Sequence, residues 1–166
     1  MPLAKADFYY GALLSQLVNS GFAPAIIDQG EARRVYEIAN NTADFKVYAK
    51  YVSKPVNTEV ENKRWDFSFN EEEVQTVLND VSMNMFAFVC GIDSLRDSEI
   101  CFLSKEQLRE CFGLDYSSPT RRITVCADKG SRYFTVYGTA LERTQNPLKV
   151  TRNLDKRLQE FLVIGV

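Results

Sequence analysis

Two runs rich in valine, tyrosine and phenylalanine, Arg33 to Ala39 (RRVYEIA) and Asp44 to Val52 (DFKVYAKYV), stand on either side of Asn40-Asn41-Thr42. Branched and aromatic side chains suit a pleated, half-buried surface, and an Asn-rich break between two such runs reads as a turn. The pair is therefore predicted to be an antiparallel hairpin. Upstream, Leu13, Leu14, Leu17 and Val18, with Tyr9 and Tyr10 one turn earlier, recur at helical spacing between Leu3 and Ser20, and Gly21 supplies the stop. An apolar stripe of this kind needs a sheet to bury it. The helix is expected to cover one face of the hairpin.

The remaining segments extend this frame. Phe22 to Asp28 (FAPAIID) reads as a short strand, which Pro24 confines to a sheet edge or a strand start. Ser53 to Lys63 is polar, broken by Pro55, and reads as a loop. Arg64 to Phe69 alternates polar and aromatic residues as a half-buried strand does, with Trp65 a core anchor. Asn70 and Glu73 have the spacing of a capping box, opening a helix whose buried face is predicted to hold Val74, Val77, Leu78 and Val81. Asn84 to Gly91 (NMFAFVCG) is the most apolar segment and reads as a central strand, followed by Glu99 to Leu103. Ser104 caps a short helix over Lys105 to Phe112 that Gly113 ends. Arg122 to Ala127 and Arg132 to Gly138 form a second hairpin around Asp128-Lys129-Gly130-Ser131. A last helix runs from about Asn153 to Leu162, with Leu154, Leu158, Phe161 and Leu162 inward. The predicted fold is α/β, one domain over residues 1–166. Its mixed, largely antiparallel sheet is flanked by helices, with core order helix-strand-strand-strand-helix-strand and an added C-terminal hairpin and helix.

Chemistry is constrained mainly by what the chain lacks. It contains no histidine, which removes Ser-His-Asp and Cys-His catalysis and the HExxH zinc proteases. Neither GxxxxGK[ST] nor GxGxxG occurs. The four cysteines, Cys90, Cys101, Cys111 and Cys126, form no CxxC, and three of them lie in apolar runs where a thiol acts as a small hydrophobe. Reduced thiols, no zinc and a reducing compartment are expected. The first residues lack a signal peptide's continuous apolar core, and no apolar run approaches the roughly 18 residues of a membrane span, so a cytoplasmic protein is expected. Twenty basic and twenty-two acidic side chains leave a net charge of −2, which argues against a binder that works by charge alone.

The order helix, three strands, helix, strand resembles the core of the PD-(D/E)XK, or restriction-endonuclease-like, superfamily over roughly residues 5 to 90. The segment EICFLSKEQL is similar to the tail of several small members. The resemblance implies an acid near the second core strand and a (D/E)xK on the third, together holding Mg²⁺, which activates water and neutralises the phosphate being cut. Here the third strand reads Tyr48-Ala49-Lys50: the lysine matches and a phenol replaces the carboxylate. The first helix, where some members place a further glutamate, reads Gly11-Ala12-Leu13. Candidates for the other acid are Asp28, Glu31 and Glu37.

Side chains alternate along a strand, so Lys46, Tyr48 and Lys50 share a face. If Asn40 stands opposite Phe45, Glu37 stands opposite Tyr48 and completes a Glu–Lys–Tyr constellation. If Asn40 stands opposite Asp44, Arg34 and Tyr36 take that face and Glu37 points away. Both registers remain open. The acidic run Glu71-Glu72-Glu73 opens a helix, where the macrodipole favours negative charge, and is not read as a metal site. Two functions follow from the resemblance. One is a non-enzymatic interaction module on a nuclease-like scaffold, needing no cofactor. It would bind a protein or nucleic-acid partner, with Arg34, Lys46 and Lys50 as the nucleic-acid contacts, as an accessory or inhibitor in a phage, plasmid or defence context. The alternative is a Mg²⁺-dependent nuclease using Glu37, Lys50 and Tyr48.

Overall fold

A computed structural model describes residues 2–30, 33–39, 44–56, 61–93, 95–113, 119–140 and 146–163. Helix α1 (Lys5–Asn19) buries Ala6, Tyr9, Tyr10, Leu13 and Leu17, steps of three and four that keep one face. Val18 lies about 100° round the helix from Leu17 and is 54% exposed, so the buried stripe is narrower than the sequence predicts. Gly21, at φ 91°, turns the chain out of the helix in a conformation side chains disfavour.

The face of α1 lies on a five-stranded sheet. Its strands are β1 (Ala23–Gln29), β2 (Arg34–Ala39), β3 (Asp44–Val52), β5 (Met83–Cys90) and β6 (Glu99–Ser104), in that order across the sheet. β1 takes the edge, as Pro24 requires. The pairings β1–β2, β2–β3 and β5–β6 are antiparallel, while β3 and β5 run parallel. The predicted hairpin and its helix are both present, in the α/β class expected.

A second, four-stranded antiparallel sheet goes beyond what the sequence predicts. β4 (Asn62–Phe69) leaves the first sheet and joins β7 (Arg121–Asp128), β8 (Tyr133–Gly138) and β9 (Leu148–Thr151), the last a strand with no clear signal in the sequence. One face of the first sheet, with Tyr36, Ile38, Val47 and Ala87, packs on α1 and on Leu158 and Phe161 of α4 (Leu154–Val163). The other face, with Val35, Tyr48, Phe86 and Phe88, packs against Trp65, Phe67, Phe69, Val125 and Val136 of the second sheet. Helices α2 (Glu71–Asn79) and α3 (Lys105–Phe112) close this second core with Val74, Val77, Leu108 and Phe112. Val81, predicted inward, lies beyond the end of α2 and is 87% exposed. Leu78 is half-buried. Glu31, the Asn40-Asn41-Thr42 turn and the side chain of Leu162 lie outside the described residues.

Parallel neighbours need a crossover. Here the chain leaves β3, runs through β4 in the other sheet, and returns through α2 to β5. That route carries the start of α2 to the second core, onto which Tyr48 faces.

Trp65 is fully buried, and its indole Nε1 donates to the Gly91 carbonyl at 2.7 Å. A Cβ on Gly91 would lie 2.6 Å from the Val52 carbonyl oxygen and 2.9 Å from the Ser53 Cα, backbone that cannot swing away. At Gly11, in the exposed face of α1, a Cβ meets nothing within 4 Å. The two glycines therefore predict opposite outcomes in urea unfolding. Gly91→Ala should lose about 1–3 kcal/mol to overpacking, and Gly11→Ala should gain about 0.5–1 kcal/mol of helix propensity. Equal effects at both positions would contradict the packing described.

Candidate functional site

Tyr48 and Lys50 alternate with Val47, Ala49 and Tyr51, which face α1, so both point toward the second sheet. Lys50 is 7% exposed and Glu73, from the first turn of α2, is 6% exposed. Lys50 Nζ donates to Glu73 Oε2 at 2.7 Å and to the Ser68 carbonyl, and it lies 4.6 Å over the Phe69 ring. The Tyr48 hydroxyl donates to the same Glu73 oxygen at 2.5 Å. The remaining oxygen, Oε1, accepts from the Asn70 backbone N–H at 3.4 Å, while Asn70 Oδ1 accepts from the Glu73 N–H at 2.8 Å. The capping box is thus present as the sequence predicts. It fixes the Glu73 side chain across the start of the helix, where Lys50 and Tyr48 meet it.

The Glu–Lys–Tyr constellation therefore exists, with Glu73 in the place expected for Glu37. The hairpin register matches neither alternative: Ala39 stands opposite Asp44, which sets Val35 against Tyr48 and Glu37 against Lys46. Glu37 shares the face of Tyr48 but sits two pairs nearer the turn, about 7 Å along the strand, and is exposed. Asp28 lies in the row Asp28–Val35–Tyr48 and pairs with Arg33 at 3.4 Å. The three cations expected to form one contact surface are separated. Arg34 lies on the α1 face, pairs with Asp7 at 2.9 Å and covers the Tyr10 ring. Lys46 pairs with Asp80 at 2.8 Å, and Lys50 is enclosed.

Glu73 is legible in principle. It stands four residues before Val77 and next to Val74, so helical spacing puts it on the buried stripe. Its place in a run of three glutamates at a helix start suggests a solvated, dipole-stabilised cluster instead.

Burial raises the Glu73 pKa, but the hydrogen bonds from Lys50 and Tyr48 outweigh it and hold the carboxyl below its ordinary range. At Lys50 the balance is reversed: burial lowers the pKa more than Glu73 restores it. Burial and the Glu73 carboxylate push the Tyr48 phenol up, keeping it neutral. These residues do not fit the Mg²⁺ site that a nuclease would need. Mg²⁺ takes oxygen ligands in near-octahedral geometry and keeps several waters, whereas the Glu73 oxygens are already engaged and closed off by packed side chains. Among the described residues no group of three or more Asp, Glu or Cys is placed to hold a metal ion. The four cysteines are free and buried, and burial pushes the Cys111 thiol up to about 12.

No protein-family model, curated protein or solved structure matches the chain.

Acid titration follows from the carboxylates. Asp80 is held at about 2 by the hydrogen bonds from Lys46 and Ser82. A folded pKa below the unfolded one gives stability that is present at neutral pH and lost as pH falls through the folded value. Unfolding free energy should stay level from about pH 7 to 5 and fall from about pH 4 toward 2 as Asp80 and Glu73 protonate. Lys46→Met should make that fall shallower. A fall as steep in Lys46→Met as in the parent protein would contradict the assignment of Asp80.

Proposed function

We propose that this chain is a non-enzymatic interaction module on a nuclease-like scaffold, binding its partner through its surface. The observation that carries the reading is the enclosure of Lys50. A lysine that helps position or deprotonate an attacking water must reach water and a scissile phosphate. Here its ammonium is satisfied by Glu73, the Ser68 carbonyl and the Phe69 ring inside a packed core. Exposing it means separating a buried ion pair, which costs about 3–5 kcal/mol.

Within the first sheet the order α1, β1 to β3, α2, β5, with β3 and β5 parallel and β4 diverted to the second sheet, supports the scaffold comparison. Such a scaffold suits an accessory or inhibitor role of the kind associated with phages, plasmids and defence systems. Four buried reduced thiols suit a reducing cytoplasm, and no helix among the described residues is long and apolar enough to cross a membrane.

The test is incubation of supercoiled plasmid and single-stranded RNA with the purified protein and Mg²⁺ or Mn²⁺. Both substrates should remain intact. Cleavage that disappears in Lys50→Met and in Glu73→Gln, with both variants still folded, would restore the nuclease reading.

A further inference from the structure

The second sheet has one face in the core, and every described helix buries its apolar residues either there or against the first sheet. Its other face carries exposed Arg122 from β7, Tyr133 from β8 and Lys149 from β9, with Arg64, Asp66 and Thr135 half-buried and Thr124 and Cys126 of the central strand buried beneath their neighbours. A cleft opens at each end of this face. One, of about 360 Å³, is lined by Arg132, Tyr133, Thr151, Arg152, Asn153 and Lys156. The other, of about 550 Å³, is lined by Arg121 and Arg122 with Ser68, Phe69, Asn70, Thr120 and Thr139. Neither lining includes a carboxylate, although the chain as a whole is net negative. Both clefts are thus lined by cations without a carboxylate among them.

The acids near this face are few. Asp66 accepts from the Thr124 hydroxyl at 2.7 Å, Asp128 ends β7, and Asp155 opens α4. Arg152 holds the structure together here. It grips Glu99 with two bonds of 2.8 Å and donates to the Asp128 and Ser131 carbonyls, fixing the turn beside the smaller cleft. Arg132, Lys156, Arg122 and Lys149 are exposed and face solvent. Tyr133 is 46% exposed and lines the smaller cleft together with Arg132 and Lys156. From Arg122 to Asp128 the strand spans roughly 20 Å.

We propose that this face, from one cleft to the other, binds single-stranded nucleic acid. Arg132, Lys156, Lys149 and Arg122 would neutralise phosphates while Tyr133 stacks on a base. Exposed cations together with an exposed aromatic ring are the chemistry by which a strand is held without reading its sequence. A duplex shields its base faces from Tyr133, and an acidic peptide offers no base to stack. The proposal rests on the interaction-module reading and names its partner.

The experiment is fluorescence anisotropy of a short labelled oligodeoxythymidylate at low salt in EDTA. Saturable binding is expected, with the logarithm of affinity falling against the logarithm of salt at a slope of about −0.7 per phosphate contacted, so about −3 if four cations engage. Arg132→Glu with Lys156→Glu should weaken binding at least about tenfold. Tyr133→Ala should weaken it about tenfold, while Tyr133→Phe, which keeps the ring, should bind as the parent does. All these positions are exposed, and unchanged melting temperatures would show that the fold is retained. Absent binding, equal or tighter binding of blunt duplex or polyglutamate, or indifference to the charge reversals would overturn the proposal. Repeating the titration with Mg²⁺ separates the two readings. Shortening of the oligonucleotide would defeat the non-enzymatic reading, whereas absent binding with intact DNA defeats this surface alone.

Discussion

A buried ammonium–carboxylate pair joins the two sheets. Lys50 belongs to β3, Glu73 to α2, and the carbonyl that takes Lys50's second bond to Ser68 at the end of β4. These three elements form the crossover that makes β3 and β5 parallel neighbours. Two charges taken out of water are tolerable only when each finds its partner and the leftover lone pairs are satisfied. Tyr48 and the Asn70 N–H meet that condition for Glu73. An apolar pair of the same size would tolerate slippage of α2 along β3, whereas this pair has one arrangement with all its partners.

That arrangement bears directly on function. Lys50 on the third strand and Glu73 at the start of α2 both face inward. With its partners already at hand, the lysine is a packing element. Exposed cations lie elsewhere, Arg122 and Lys149 on the outer face of the second sheet among them.

Much of the framework is legible in the sequence because its signals are local. Periodicity places α1, Pro24 marks the sheet edge, and the Asn70–Glu73 spacing announces α2 with its cap. Features that depend on distant segments are not legible. β4 reads as an alternating strand whichever sheet it joins, so Arg64 to Phe69 cannot reveal the second sheet. Hairpin register depends on which residues are buried across the whole sheet, and the observed pairing of Glu37 with Lys46 matches neither register that the turn residues suggest. Glu73 escapes notice because a glutamate at a helix start has a sufficient local explanation. Its partner lies twenty-three residues away on another element.

Lys50 and Glu73 form a buried, mutually dependent pair, and a double-mutant cycle in chemical denaturation measures that dependence directly. Lys50→Met leaves a carboxylate without its ammonium, and Glu73→Gln leaves an ammonium without its charge partner while keeping an acceptor for Tyr48. Each should cost about 3–5 kcal/mol, and the double variant should cost well under their sum, with a coupling of about 2 kcal/mol or more. Single losses below about 1 kcal/mol that simply add, the behaviour of an exposed surface pair, would contradict the claim and return Lys50 to the solvent.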